Sequence, residues 1–166
     1  IVLIVGTGIG AGILSGGELV RGAHELSGCA GWLVVSDACN EMTAKSGALE
    51  SIVAGPAIAH ALGAASAIEA AERARGGERF AKDVFTHAAQ HLGRAIANLI
   101  SVFDPEVVVL TGGIANAADL MLDEVKRTAK KYAQPLSFPQ VEIAVSKLGT
   151  EANLFGAARL ALENIA

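Results

Sequence analysis

The chain has 166 residues, of which 52% are apolar, 18% charged and 4% aromatic, and its formal net charge is -4. This length fits one domain with a core of its own, without disulfide or metal staples. The apolar share excludes long disorder, and the acidic balance argues against nucleic acid as a partner. The most apolar stretch, residues 51–71, contains Pro56, His60 and Glu69. It reads as a buried helical region rather than a membrane span, which needs about 20 strongly apolar residues. Cys29 and Cys39 make neither a disulfide scaffold nor a CxxC pair, which fits a reduced, cytoplasmic setting. The sequence opens at Ile1 inside a strand-like run, so an upstream segment is expected to be missing.

Ile1 to Val5 is a β-branched run that ends at Gly6, and Ile9 to Leu14 is a second apolar run. Gly16-Gly17 and Glu18 to Val20 follow, the pattern of a hairpin with a primed turn. Three short antiparallel strands are therefore expected first. Residues 21–48 hold both cysteines and Trp32 without a long periodic pattern, and read as an irregular insertion with a short strand at Trp32 to Val35. Helical patterning runs from Leu49 to Arg75, tolerating Pro56 in a first turn, and stops at Gly76-Gly77. From Phe80 to Phe103 apolar residues recur at spacings of three and four around much of the circumference, predicting a core helix that Asp104-Pro105 ends. Val107 to Leu110 is a continuous apolar strand, expected to be covered on both faces. A helix over residues 117–132, capped by Asn116, a strand over 141–145, and a helix over 151–164, capped by Thr150, complete the chain. The order predicts an α/β lobe with a mixed, five-stranded sheet and flanking helices.

The strongest local signal is the glycine run from Gly6 through Thr7, Gly8 and Gly10 to Gly12. It lacks the Gly-Lys-Ser/Thr ending of a P-loop. A dinucleotide fingerprint requires a helix next and an acid at the end of a second parallel strand, and neither is indicated. Two readings remain open from the residues: a tight hairpin, and a strand-turn-strand loop whose backbone N–H groups meet phosphate oxygens.

The whole chain carries a set of motifs in one order. They are Gly6-Thr7-Gly8-Ile9-Gly10, Arg21-Gly22-Ala23, Gly47 with Leu49-Glu50, Ala54-Gly55-Pro56, Asp104-Pro105 through Thr111-Gly112-Gly113, and Leu148-Gly149 through Gly156-Ala157-Ala158. In this the chain resembles the C-terminal lobe of the ROK family of bacterial sugar kinases and sugar-responsive repressors. The resemblance implies a ribonuclease-H-like lobe of the actin/hexokinase superfamily, a single unit over 1–166 with the N-terminal lobe absent. It also implies a glucokinase-like transfer of phosphate from ATP with Mg²⁺ to a hexose. Gly6, Thr7, Gly8 and Gly10 would bind the phosphates, Gly112 and Gly113 would line the adenosine pocket, and Glu50 would bind sugar. No catalytic residue is assigned in this chain: the general base and the Asp-x-Gly-x-Thr loop of the family belong to the other lobe. The chain alone is expected to be inactive, and a homo-oligomer is expected.

The family's sugar pattern, Gly-Glu-x-Gly-His, meets Gly28-Cys29-Ala30-Gly31-Trp32 here. A thiol is a weak substitute for a carboxylate that accepts hydroxyl hydrogen bonds. Altered sugar specificity, or none, is expected, with Trp32 able to stack on a sugar or a partner subunit. The family's zinc positions read Trp32, Glu41, Thr43 and Ala48, so that site is expected to be absent. Alternative metal sets, His24 with Cys29, Cys39 and Glu41, or Asp83 with His87 and His91, are weak candidates. A non-catalytic homologue or sugar-responsive regulator is the alternative function; a dinucleotide-binding domain is a distant third.

Overall fold

The structure is a computed structural model that describes residues 1–37 and 40–163. The central sheet has four strands in the order β2-β1-β5-β6. β1 (Val2–Val5) turns back at once into β2 (Ile9–Gly12), with Val5 opposite Ile9. β5 (Val107–Thr111) lies parallel to β1, with Ile4 opposite Thr111. β6 (Glu142–Val145) lies parallel to β5 on its other side. The sheet is therefore mixed, as the sequence predicts, but with four strands and not five.

The missing strand has a local explanation. The run from Ile9 does not continue straight to Leu14. Ile13 turns inward and is buried. β3 (Leu14–Ser15) and β4 (Glu18–Leu19) then form a separate two-residue ribbon. Its turn is the primed type expected, since Gly16 and Gly17 both have positive φ. The edge of β2 where a third strand would pair is met instead by the insertion: the Ala11 N–H donates to the Gly28 carbonyl at 2.7 Å. Gly28 is required there. Its φ is +92°, and a Cβ on it would sit 1.9 Å from the Ala11 oxygen.

The insertion holds no strand at Trp32 to Val35. A 3-10 turn spans Ala30–Trp32, and the Trp32 and Leu33 N–H groups bond back to Cys29 and Ala30. α1 (Glu41–Ser46) follows, unexpected from periodicity but signed by its cap. Asn40 accepts from Met42 and Thr43, while Thr43 Oγ1 accepts from the Asn40 N–H. The single helix expected from Leu49 to Arg75 is three: α2 (Glu50–Val53), α3 (Gly55–Leu62) and α4 (Ala67–Arg75). Pro56 starts α3 rather than sitting inside a longer helix. Gly63, left-handed, ends α3, and Ser66 caps α4 by accepting from the Glu69 N–H.

α5 (Arg79–Phe103) runs through the core as expected, and Asp104 in the left-handed region stops it before Pro105. Phe85, Leu92, Ile96 and Ile100 are buried in the same core as Leu3 and Val5 of β1, with α2, α3 and α4 packed on α5. α6 (Ala118–Tyr132) packs along α5. Its N-cap is Ala117, with no side-chain cap, because a 3-10 turn over Gly113–Ala117 precedes it and takes in Asn116. β5 alternates rather than being sealed on both faces: Val108 and Leu110 are buried, Val107 and Val109 half-buried. α7 (Ala152–Glu163) closes the described chain, and its residues 154–162 are exposed. Asn164, the expected end of this helix, and Cys39 lie outside the described residues, as does the side chain of Thr150. Among the described residues no helix is long and apolar enough to cross a membrane.

Candidate functional site

Two loops meet at the ends of the central strands. The first is the tip of the β1–β2 hairpin, Gly6-Thr7-Gly8. The Gly6 N–H donates to the Gly8 carbonyl at 3.0 Å, which makes Thr7 the tip. The Gly6 carbonyl accepts the Gly55 N–H at 2.8 Å, pinning the tip to the start of α3. The N–H groups of Thr7 and Gly8 have no partner among the described residues. The second loop is Gly112-Gly113, at the end of β5. The parallel pairing of β1 and β5 delivers both loops to one edge of the sheet. Gly112 has φ +84°, and a Cβ there would lie 2.7 Å from the Val5 oxygen. A Cβ on Gly113 would lie 3.8 Å from the Gly6 Cα, so the two loops are in van der Waals reach.

A cleft of about 580 Å³ opens beside them. Gly6, Thr7 and Gly113 line one end. The walls are Pro56, Ala59, Ala67, Ile68 and Ala71 on one side and Ile114, Ala117 and Met121 on the other, over Phe85. Polar side chains are few: Thr7, Ser66, Arg75 and Asn116. The chemistry is two-ended. Unpaired N–H groups at a glycine tip suit the oxygens of an anion, while a largely apolar slot of this size suits a flat organic group.

The remaining expected residues lie elsewhere. Gly112 is not in the cleft lining and packs against the Val5 backbone instead. Gly10 is in β2 opposite Ile4, away from the cleft, with the Gly28 carbonyl beside its α-carbon. Gly8 faces away toward Glu50. The Glu50 carboxylate is wedged on the far side of the hairpin tip, where Oε2 accepts the Ile9 N–H at 2.6 Å. A Cβ on Gly8 or on Gly31 would come within 3.0 Å of that same oxygen. Glu50 thus touches the glycine loop and not the cleft. Cys29 and Trp32 are exposed near this far side, and the Leu49 N–H donates to the Gly31 carbonyl.

Sequence reasoning missed the rim of the cleft. Arg75 ends α4 and reaches the start of α6. Its Nε and Nη2 donate to the two Asp119 oxygens at 2.8 and 2.7 Å, and Nη2 also donates to the Asn116 carbonyl at 2.6 Å. The Arg75 hydrogen bonds hold the Asp119 carboxyl below its usual value. These residues are 44 apart in sequence, so no local pattern announces the pair. The His87 and His91 candidates also resolve. The His91 ring is buried and its Nδ1 donates to the His87 carbonyl at 2.9 Å. Burial lowers its pKa below the ordinary 6.5, which suits a neutral core imidazole. Among the described residues no three metal-ligating side chains stand together.

The family model for the ROK family matches residues 1–164. This chain belongs to the ROK family. The ROK chain is 28% identical to a glucokinase of Halalkalibacterium halodurans, over 94% of its own length and 54% of that protein's. It is 29% identical to a putative xylose repressor of Caldicellulosiruptor, over 97% of its own length and 45% of the repressor's. The crystal structure of a ROK family glucokinase from Streptomyces griseus, in complex with glucose and AMPPNP, superposes with a TM-score of 0.78 at 26% identity, covering 96% of this chain and 59% of that one. The α/β architecture with a mixed sheet is therefore that of ROK sugar kinases. The ROK chain spans about half the length of the relatives it matches.

Proposed function

We propose that this chain is the nucleotide-binding half of a ROK sugar kinase, which transfers the γ-phosphate of ATP to a hexose when its other half is present. The observation that carries the reading is the meeting of two glycine loops at a cleft that is otherwise largely apolar. The free Thr7 N–H, with its neighbour on Gly8, would donate to phosphate oxygens at the cleft end lined by Gly6 and Thr7, and the Thr7 hydroxyl would add a donor. Gly113 keeps the floor between the loops open for the nucleoside. The chain's own task is to bind and orient the donor, and positioning with charge stabilisation is most of phosphoryl-transfer catalysis. The cleft lining carries no carboxylate, and its side-chain oxygens are those of Thr7, Ser66 and Asn116, so Mg²⁺ would arrive with the donor's phosphates and would supply charge neutralisation there. Glu50 would accept from a sugar hydroxyl through Oε1 while Oε2 holds the Ile9 N–H. A cytoplasmic, oligomeric protein accords with the reading. The test is ATP-dependent phosphorylation by the full-length protein across a panel of hexoses and N-acetylhexosamines. Turnover of any one of them with MgATP supports the kinase reading; nucleotide binding without turnover of any sugar sinks it.

A second reading rests on a specific observation: the sugar positions that the family resemblance assigns to Glu and His hold Cys29 and Trp32. A non-catalytic, sugar-responsive regulator accommodates that loss, and the similarity to a putative xylose repressor supports it. Sugar-dependent release from DNA by the full-length protein would decide for it. The dinucleotide reading does not survive the fold, because an antiparallel strand, β2, follows the glycine loop where a helix is needed.

A further inference from the structure

We infer that Arg75 and Asp119 form a strap across the mouth of the cleft and that Arg75 is a positioning residue for the nucleotide; this rests on the nucleotide reading above. The two walls of the cleft belong to different elements, α3 and α4 on one side and the 3-10 turn with the start of α6 on the other. Neither that turn nor α6 has a side-chain cap at its N-terminus. The backbone there is held by the Arg75 guanidinium instead. One planar fork engages both Asp119 oxygens, in the first turn of α6, and the Asn116 carbonyl, in the turn itself. Arginine suits this role because its donors lie in one rigid plane; a lysine ammonium has three donors, but from a single nitrogen, and lacks the fork that meets both carboxylate oxygens side by side.

The turn held in this way runs directly out of Gly113 and carries Ile114, Asn116 and Ala117 into the cleft lining. Its position therefore sets both the width of the slot and the distance from the slot to the glycine loops. A neighbouring clip shows what a merely structural pair looks like. Arg73 binds Glu78 through both oxygens and donates to the Leu62 carbonyl, tying the end of α3 to the start of α5 outside the cleft.

The experiment is a fluorescence titration of the full-length protein with N-methylanthraniloyl-ADP and Mg²⁺, for wild type, Arg75→Ala, Asp119→Ala, the double variant and Arg73→Ala. Each of the first two substitutions is expected to weaken binding about tenfold, with the double variant no weaker than the worse single one, as for two halves of one interaction. Arg73→Ala is expected to lower the melting temperature and leave affinity unchanged. In turnover, KM for ATP should rise while KM for sugar stays. Weakening by Arg75→Ala but not Asp119→Ala would mean that the guanidinium touches the ligand itself, and would overturn the strap. Unchanged affinity in both would overturn it too. Where Arg75→Ala does not fold, Arg75→Lys takes its place: weaker binding supports the strap, wild-type affinity overturns it. A folded wild type that does not bind the probe removes the nucleotide reading, a result distinct from all of these.

Discussion

The hairpin tip has two faces, and they are built differently. On the cleft face the groups are backbone: Gly6 and Thr7 at the tip, the Gly55 N–H on the Gly6 carbonyl, and Gly113, whose value is an absent side chain. On the other face the partner is a side chain, the Glu50 carboxylate, with Cys29 and Trp32 exposed nearby. Recognition by backbone tolerates change in surrounding residue types so long as glycine stays. Recognition of a sugar hydroxyl depends on specific polar side chains, and on the proposed reading two of those positions are held by Cys29 and Trp32. On the proposed reading, one loop would keep its phosphate-facing backbone while its opposite face takes a different ligand or none.

The strongest way to break this comparison is to add a methyl group on either face. Gly28→Ala places a Cβ almost on the Ala11 oxygen at a left-handed φ, and should cost upwards of about 3 kcal/mol of stability. Gly112→Ala, on the cleft face, should cost somewhat less, since its contact with the Val5 oxygen is longer. Urea unfolding of both variants checks the order; a mild Gly28→Ala would mean that the insertion does not dock as described. Next in size is Thr7→Ala, expected to raise KM for ATP about tenfold by removing one hydroxyl bond to a charged group, with stability unchanged. A rise in KM for sugar instead would reverse the assignment of faces. Glu50→Ala leaves the Ile9 N–H without its acceptor and should destabilise by about 1–2 kcal/mol, whereas Glu50→Gln keeps an acceptor oxygen and most of that stability. Thermal melts of the pair separate a loop clamp from a sugar ligand.

The smallest expected effect concerns acid. Burial holds His91 below its ordinary pKa of 6.5 in the fold. As the pH falls below 6.5 the unfolded chain takes up this proton before the folded one does. The His91 contribution is therefore complete above 6.5 and is lost as the pH drops toward the depressed folded value. His91→Gln should flatten the melting temperature between pH 7.5 and 5.5; an identical slope in the variant would show that another group sets it.

Much of this was legible in the sequence because it is local. The primed turn at Gly16-Gly17, the helix stop at Asp104-Pro105 and the two glycine loops announce themselves in a few residues each. The four-stranded sheet was not legible: strand count depended on whether β2 paired with β4 or with Gly28, and both segments offered free backbone groups. The apolar run from Leu49 read as one helix because periodicity does not register the extended Ala54 or the left-handed Gly63. Among the glycines singled out in the sequence, Gly6 and Gly113 line the cleft, while Gly10 lies in β2 opposite Ile4. Arg75 and Asp119 left no trace, because a charge pair across a cleft has no sequence spacing of its own.

The placement of β1 has a consequence for how the protein is made. β1 is an interior strand, but its neighbour β5 lies more than a hundred residues further along the chain, with Val2 opposite Val109. During vectorial synthesis the β1–β2 hairpin leaves the ribosome with the edge of a β-branched run, Val2 to Val5, unsatisfied until β5 emerges. Such an edge is a template for pairing with other nascent chains. Chaperone demand should accordingly be concentrated in the interval between translation of Val5 and of Thr111. No small molecule can shorten that interval, because the two loops that would hold one do not exist together until it has ended.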